Sequence, residues 1–406
     1  MRRCRVYDAR RDGDPGNAAA GTGCVAVEAP QGRRPGALMD WVDLARRFVP
    51  RRARQAVQRV VSMQAQKLKY FERRDQLANV VEGDENSLGF QFRVGIIKNR
   101  AFRHTHYVAA CLELRVPFRV VDLAEANWWR TVRSGNCDAF LAWPDATSTP
   151  TAKLLKDRLD LVERELGACV YPNAAERWMY EDKVRLADWL VSRGVPHPPT
   201  RVFSDRAAAD AYAATCNLPV VSKTAFGAAA TGVQVLRRRR DVHALVARAF
   251  GRGLTVAGHD PRDRQWGFVL LQEYVDVAKE WRLVRIGEAY FGHPKGRVGA
   301  FHSGSGHAEW DVPEPRHLEF LYRITEAGGF RSMAVDTFET TSGELLVNEL
   351  QTVFGASTSV DQMRVNGEPG RMVRDAVRGW RFEPGDYARN ACANARVLDL
   401  IERWRA

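Results

Sequence analysis

Apolar residues recur along this chain in two rhythms, and the change from one to the other marks its organisation. The first 36 residues follow neither: Gly, Ala, Arg and Pro dominate, and the segment reads as a disordered basic leader. From 37 to 90, Leu38, Trp41, Val42, Ala45 and Phe48, then Val57, Val60, Val61 and Leu68, stand at helical spacing among Arg and Gln. That spacing predicts one or two amphipathic helices, docked on the body or on a partner. Beyond Phe92 short apolar runs alternate with helical stretches. Strands are predicted at 93–97, 118–122, 139–143 and 169–171, with a helix capped by Thr105, a Trp-rich helix and a helix over 153–166 between them. Strands separated by helices of this length form a parallel sheet covered on both faces, so 91–172 is expected to be a small α/β domain. Such a sheet binds ligands beyond the carboxyl ends of its strands, which here carry Lys98, Asn99, Arg100, Pro144 and Asp145.

A second unit is expected over 173–365. It opens with a helix over 174–193, then a strand at 201–203, a helix at 207–215 and an apolar strand at 218–223. The run Thr-Ala-Phe-Gly-Ala-Ala-Ala-Thr-Gly-Val follows Lys223 and lies between strands instead of opening a helix, so it is neither a P-loop nor a dinucleotide fingerprint. Its glycines still let backbone amides approach a phosphate closely. Strands at 268–274 and 281–286, a polar loop around His293 to Arg297 and a helix at 319–327 lead to a hairpin over 336–351. Residues 366–406 read as mainly helical.

The hairpin carries the most chemistry. With its turn centred between Ser342 and Gly343, Asp336 faces Glu349, Phe338 faces Val347, and Gln351 shares the face of Glu349. Carboxylates about 5 Å apart repel by about 3 kcal/mol at an effective dielectric of 20. A cation is therefore expected between them, and oxygen-only donors suit Mg²⁺ completed by nucleotide phosphates. The plainer alternative is an exposed hairpin with scattered acids.

Composition narrows the class. At 406 residues the chain is long enough for two or three domains, and 45% hydrophobic with 27% charged residues describes an ordinary globular protein. No apolar run approaches the roughly 20 residues of a membrane span, and the Arg-rich start lacks the apolar core of a signal peptide. A cytoplasmic location is expected. Seven scattered cysteines with no CxxC pair read as reduced thiols, not as a disulfide framework or zinc site. The formal charge of +12 is concentrated in residues 1–80, where 17 Lys and Arg face 8 Asp and Glu. The body is nearly balanced, which argues against a nucleic-acid partner for it.

Lys183 on a helix, Pro-Val-Val-Ser-Lys223, the small-residue loop, Leu-Gln-Glu-Tyr-Val, and Asp336 with Glu349 and Gln351 follow one another in an order and spacing that resembles the ATP-grasp superfamily over about 93–362. The resemblance implies a small parallel-sheet pre-ATP-grasp domain followed by a two-lobed ATP-grasp domain, and a carboxylate-amine ligase that forms ADP. By it, Lys183 and Lys223 reach the ATP phosphates, and the loop from Gly227 through Thr231 to Gly232 closes over them. Glu273, Tyr274 and Val275 pair with adenine, and Glu280 accepts from the ribose hydroxyls. Asp336, Glu349 and Gln351 hold Mg²⁺ or Mn²⁺. Two departures stand out: Gln351 replaces the usual Asn, and Ala334 stands where some members carry an arginine that stabilises the transferring phosphoryl group. Arg282 or Arg297 is expected to take that task. Lys295 and Arg297, with His302 and His307 nearby, are expected to read an anionic carboxylate substrate, small or peptide-like, with an amine as acceptor. A homo-oligomer is compatible with this reading. Two alternatives remain at this stage: a kinase of the same fold that phosphorylates a hydroxyl, and a nucleotide-regulated binding protein whose basic segment 1–80 contacts nucleic acid or a partner.

Overall fold

A computed structural model describes residues 76–146, 148–227, 232–256, 260–295, 312–354, 363–375 and 377–406. All belong to one compact unit, Gln58–Ala406. The basic leader and most of the amphipathic extension lie outside the described residues.

The first sheet contains β1 (Glu82–Gly83), β2 (Val94–Ile97), β3 (Phe118–Val121), β4 (Ala139–Ala142) and β5 (Cys169–Tyr171) in the order β1-β3-β2-β4-β5. The pairs β2–β3, β2–β4 and β4–β5 are parallel, and β1 adds an antiparallel edge. All four residues of β2 are buried, as a strand covered on both faces requires. Helices α1 (Thr105–Leu114), α2 (Trp128–Ser134) and α3 (Thr149–Leu166) connect the strands. The expected Thr105 cap is displaced by one residue, since His104 occupies the cap position and Thr105 is already helical. Helix α3 starts four residues before the expected 153, because the Ser148 side chain accepts from the Thr151 amide and Pro150 suits the first turn.

The helix expected over 174–193 is two helices, α4 (Ala174–Met179) and α5 (Lys183–Ser192). Asn173 and Glu176 cap the first reciprocally. Asp182 restarts the second by accepting from the Val184 and Arg185 amides, and Glu181 between them takes a positive φ of 52°. Next come β6 (Thr200–Phe203), α6 (Arg206–Thr215), β7 (Val220–Lys223), β8 (Val233–Leu236), α7 (Arg239–Phe250), the short pair β9 (Leu254–Thr255) and β10 (Arg264–Gln265), and β11 (Val269–Glu273). Strands β6, β11, β7 and β8 form an antiparallel sheet. Ala209, Leu245, Val246 and Leu271 share the core between it and its two helices.

The large sheet is built from β12 (Val277–Ile286), β13 (Ala289–Lys295), β14 (Ser332–Thr340), β15 (Leu345–Gln351), β16 (Arg364–Val365), β17 (Glu368–Asp375) and β18 (Gly379–Pro384), with α8 (Pro315–Gly328) preceding β14. Leu283, Leu318, Leu321, Val335 and Leu350 pack α8 on it. Two expectations are corrected here. His293, Pro294 and Lys295 were expected in a loop but end strand β13. Proline is tolerated there because β13 meets β17 only at Tyr290, leaving the outer edge of 291–295 without a strand partner among the described residues. Residues 366–406 are not mainly helical: β17 and β18 form a hairpin, and helix begins only with α9 (Arg389–Arg405). That last helix packs Val397, Leu400 and Ile401 into the core of the first sheet beside Val94 and Tyr107. No helix among the described residues is long and apolar enough to cross a membrane.

Candidate active site

Strand β11 runs through the four-stranded sheet and β12 through the large one, so the connection from Glu273 through Tyr274 and Val275 links two lobes. Glu273 donates its amide to the Pro199 carbonyl at 2.9 Å, and Tyr274 is exposed. Strand β7 ends at Lys223, which is 8% exposed although it carries a charge. Its Nζ donates to Asn348 Oδ1 on β15 at 2.8 Å. Lys183, the first residue of α5, donates its amide to the Ala225 carbonyl and its Nζ to the Gly227 carbonyl, both at 2.8 Å. The same Nζ stands 3.3 Å from Glu349 Oε1. Two lysines from different elements, α5 and β7, thus meet consecutive residues of β15.

The loop after Lys223 ends at Gly232, close against Thr224. The Thr224 amide donates to the Gly232 carbonyl at 3.1 Å, and a Cβ on Gly232 would stand 1.8 Å from Thr224 Oγ1. Gly227 has a φ of 112°, which glycine adopts freely. Thr231 lies outside the described residues, as do Arg297, His302 and His307.

The hairpin pairs Asp336 with Glu349 and Ala334 with Gln351, as the spacing predicts. After Asp336 the register shifts, so Phe338 faces Leu346 and not the expected Val347. Asn348 is the extra residue of this bulge, a device that re-aims a side chain, and its amide turns to Lys223. Reasoning from the sequence missed Asn348. Its signal was a second polar residue beside Glu349, which breaks the two-residue period.

Asp336 is 2% exposed and faces Arg282 directly across β12 and β14. Arg282 Nε and Nη2 donate to its two oxygens at 2.9 and 3.0 Å. Lys295 adds a further ion pair to Asp336 and donates to Glu280 Oε1 at 2.7 Å. Burial alone would push the Asp336 carboxyl up, but Arg282 and Lys295 outweigh it and hold it well below the usual carboxylate range. Burial pushes the Lys223 ammonium down to about 8, against the pull of Glu349. Burial acts the same way on Lys183, yet the Glu349 and Glu181 carboxylates carry it above its ordinary value. Lys295, expected to reach substrate, is therefore engaged inside the sheet. Glu280, expected at the ribose, is 2% exposed with its carboxylate on Lys295.

The three expected metal ligands do not form one equivalent set. A divalent ion bound to Asp336 within roughly 5 Å of Arg282 and Lys295 would be repelled by about 7 kcal/mol by each at an effective dielectric of 20. The two carboxylates there are already balanced by two cations. Glu349 and Gln351, both half-buried, are the remaining hard oxygen donors of the expected set, with the Lys183 ammonium 3.3 Å from Glu349. Among the described residues there is no group of three or more His, Cys, Asp or Glu side chains arranged to hold a metal.

A cavity of about 650 Å³ opens at the carboxyl ends of β2 and β4, where a parallel sheet is expected to bind ligands. Lys98, Asn99, Pro144 and Asp145 line it, with Arg100 absent from its walls. Its other side is formed by Glu181 and Asp182 at the start of α5 and by Ala225 to Gly227, so it reaches the loop that holds the Lys183 ammonium.

A parallel α/β domain followed by two antiparallel sheets joined by a short linker is the layout of the ATP-grasp fold. The D-alanine–D-alanine ligase of Bacillus anthracis has it: 78% of this chain aligns with 99% of that one at 12% identity and a TM-score of 0.50. The RimK-domain ATP-grasp protein of Sphaerobacter thermophilus aligns with 64% of this chain over 90% of its own, at 20% identity and a TM-score of 0.46. For the N5-carboxyaminoimidazole synthetase of Staphylococcus aureus the shares are 78% and 79%, at 14% identity and a TM-score of 0.48. Identities this low speak for the fold and for nothing finer. No protein-family model and no curated protein matches the sequence.

Proposed function

We propose that this chain is an ATP- and magnesium-dependent ligase that activates a substrate carboxylate as an acyl phosphate and joins it to an amine, releasing ADP and phosphate. The observation that carries this reading is the meeting of Lys183 and Lys223 with Glu349 and Asn348 on β15. Lys223 holds no ion pair among the described residues, and a buried ammonium without a carboxylate calls for an anionic ligand. Nucleotide phosphates supply one.

In this reading Lys183 and Lys223 neutralise the charge that grows on the leaving ADP as the carboxylate attacks the γ-phosphorus. Glu349 and Gln351 would hold the divalent ion, which when bound screens the phosphate oxygens. The backbone of Glu273, Tyr274 and Val275 pairs with adenine, and the loop beginning at Gly227 closes so that water does not take the acyl phosphate. The amine enters through the 650 Å³ cavity and displaces phosphate from the acyl carbon. Arg297, beyond strand β13, is the substrate-side cation of the scheme. The activity belongs to the cell interior, where ATP is supplied.

The test is a panel of carboxylates with ATP, Mg²⁺ and hydroxylamine. ADP and a hydroxamate should accumulate together. ADP release with no hydroxamate from any carboxylate, together with a phosphorylated hydroxyl compound, would replace the ligase with a kinase.

A further inference from the structure

Strand β12 lies between β13 and β14 in the large sheet. Glu280 faces Lys295 on one side, and Arg282 faces Asp336 on the other. Glu280 and Arg282 are two residues apart on one strand and so share a face. The result is a checkerboard of two acids and two bases, in which the Lys295 stem crosses β12 to set its ammonium on both Glu280 and Asp336. All four stand on strands of one sheet, with Glu280 and Asp336 2% exposed and Lys295 9%.

We infer that the Lys295 ammonium is a built-in cation occupying the position where a divalent ion would otherwise bridge Asp336, so that the cleft takes one divalent ion, at Glu349 and Gln351, instead of two. A lysine in this place gives Asp336 its counter-charge at any metal concentration. The nearby acids Glu280 and Asp336 are neutralised by Lys295 and Arg282, whereas the ion pair of Glu349 with Lys183 is longer, at 3.3 Å, and its ammonium is shared with the Gly227 carbonyl. A metal therefore gains most on the Glu349 side of the hairpin. The bulge after Asp336 separates the two sides.

The inference rests on the proposed nucleotide site in one arm of its test and is independent of it in the other. In the first arm, bound Mn²⁺ is counted by paramagnetic resonance on the full chain with a non-hydrolysable ATP analogue. The wild type should hold one Mn²⁺ and Lys295→Ala two, the second between Glu280 and Asp336. Two ions in the wild type, or one in the variant, overturns the inference. In the second arm no nucleotide is present, and thermal unfolding is followed with and without millimolar Mg²⁺. Lys295→Ala should melt below the wild type and be raised by Mg²⁺ by more than the wild type is. A variant indifferent to Mg²⁺ sinks the idea even if the chain binds no nucleotide at all, an outcome that would separately end the ligase reading. Lys295→Met keeps the packing of the stem and repeats both readings should the alanine variant fail to fold.

Discussion

Two pairs of cations line the same cleft, and they are held in opposite ways. Arg282 and Lys295 grow from the large sheet and are tied to carboxylates of that sheet, so their charges cancel before any ligand arrives. Lys183 opens α5, whose Leu186 and Leu190 pack in the core of the large sheet, and meets a carboxylate and a carbonyl, whereas Lys223 ends β7 of the four-stranded sheet and meets an amide side chain. The first pair is neutralised within the sheet; in the second, Lys183 has Glu349 at 3.3 Å and Lys223 has no ion pair among the described residues. Burial of like residues in one cleft thus has two meanings, decided by what accepts their hydrogen bonds.

The largest expected effect breaks the first pair. Asp336→Ala leaves the half-buried Arg282 without its carboxylate and the buried Lys295 with Glu280, and should lower unfolding free energy by about 3–5 kcal/mol, read by chemical denaturation. A loss below about 1 kcal/mol would mean that the cluster is not buried as described. Next is Lys223→Ala, which should weaken binding of a non-hydrolysable ATP analogue by roughly 10- to 100-fold in calorimetry, the range of a charge-assisted bond. Equal loss of affinity in Lys295→Ala would erase the contrast between the pairs. Third, Glu349→Gln should depress ADP release by roughly tenfold or more while changing stability by less than about 1 kcal/mol. Relief of acid–acid repulsion would have raised stability, but Asp336 is already neutralised by Arg282 and Lys295, so no gain is expected. The smallest effect is with pH. A bound anion favours the charged form of Lys223, whose ammonium titrates at about 8, so nucleotide affinity should fall as pH rises through that value by at most about tenfold per unit. Lys223→Ala should flatten that slope, and an identical slope in the variant would assign it to another group.

Much of the layout was readable beforehand because it depends on local rules. Strand Cys169–Tyr171 was expected over those same residues, and the pairing of Asp336 with Glu349 follows from turn position and the two-residue period. The failures have local causes as well. One helix became two because Asp182 caps a second start, and Pro294 hid a strand because its edge position was invisible in the sequence. The hairpin beyond Met363 was taken for helix because Arg-rich alternating strands at a sheet edge carry few apolar residues to set a period.

The sequence by itself determined which residue types stand at each strand end and turn: lysines after apolar runs, glycines where the backbone crowds, paired acids on a hairpin. Those choices are written into single positions and short spacings. Only the tertiary structure decided which charges remain available. Lys295 and Lys223 are both lysines at strand ends, 72 positions apart, and nothing local distinguishes them. Their difference arises because β13 sets Lys295 beside Glu280 and within reach of Asp336, while the bulge in β15 offers Lys223 an amide. Electrostatic availability is a property of the neighbours a side chain meets in space, and those neighbours are chosen by sheet register across distant segments.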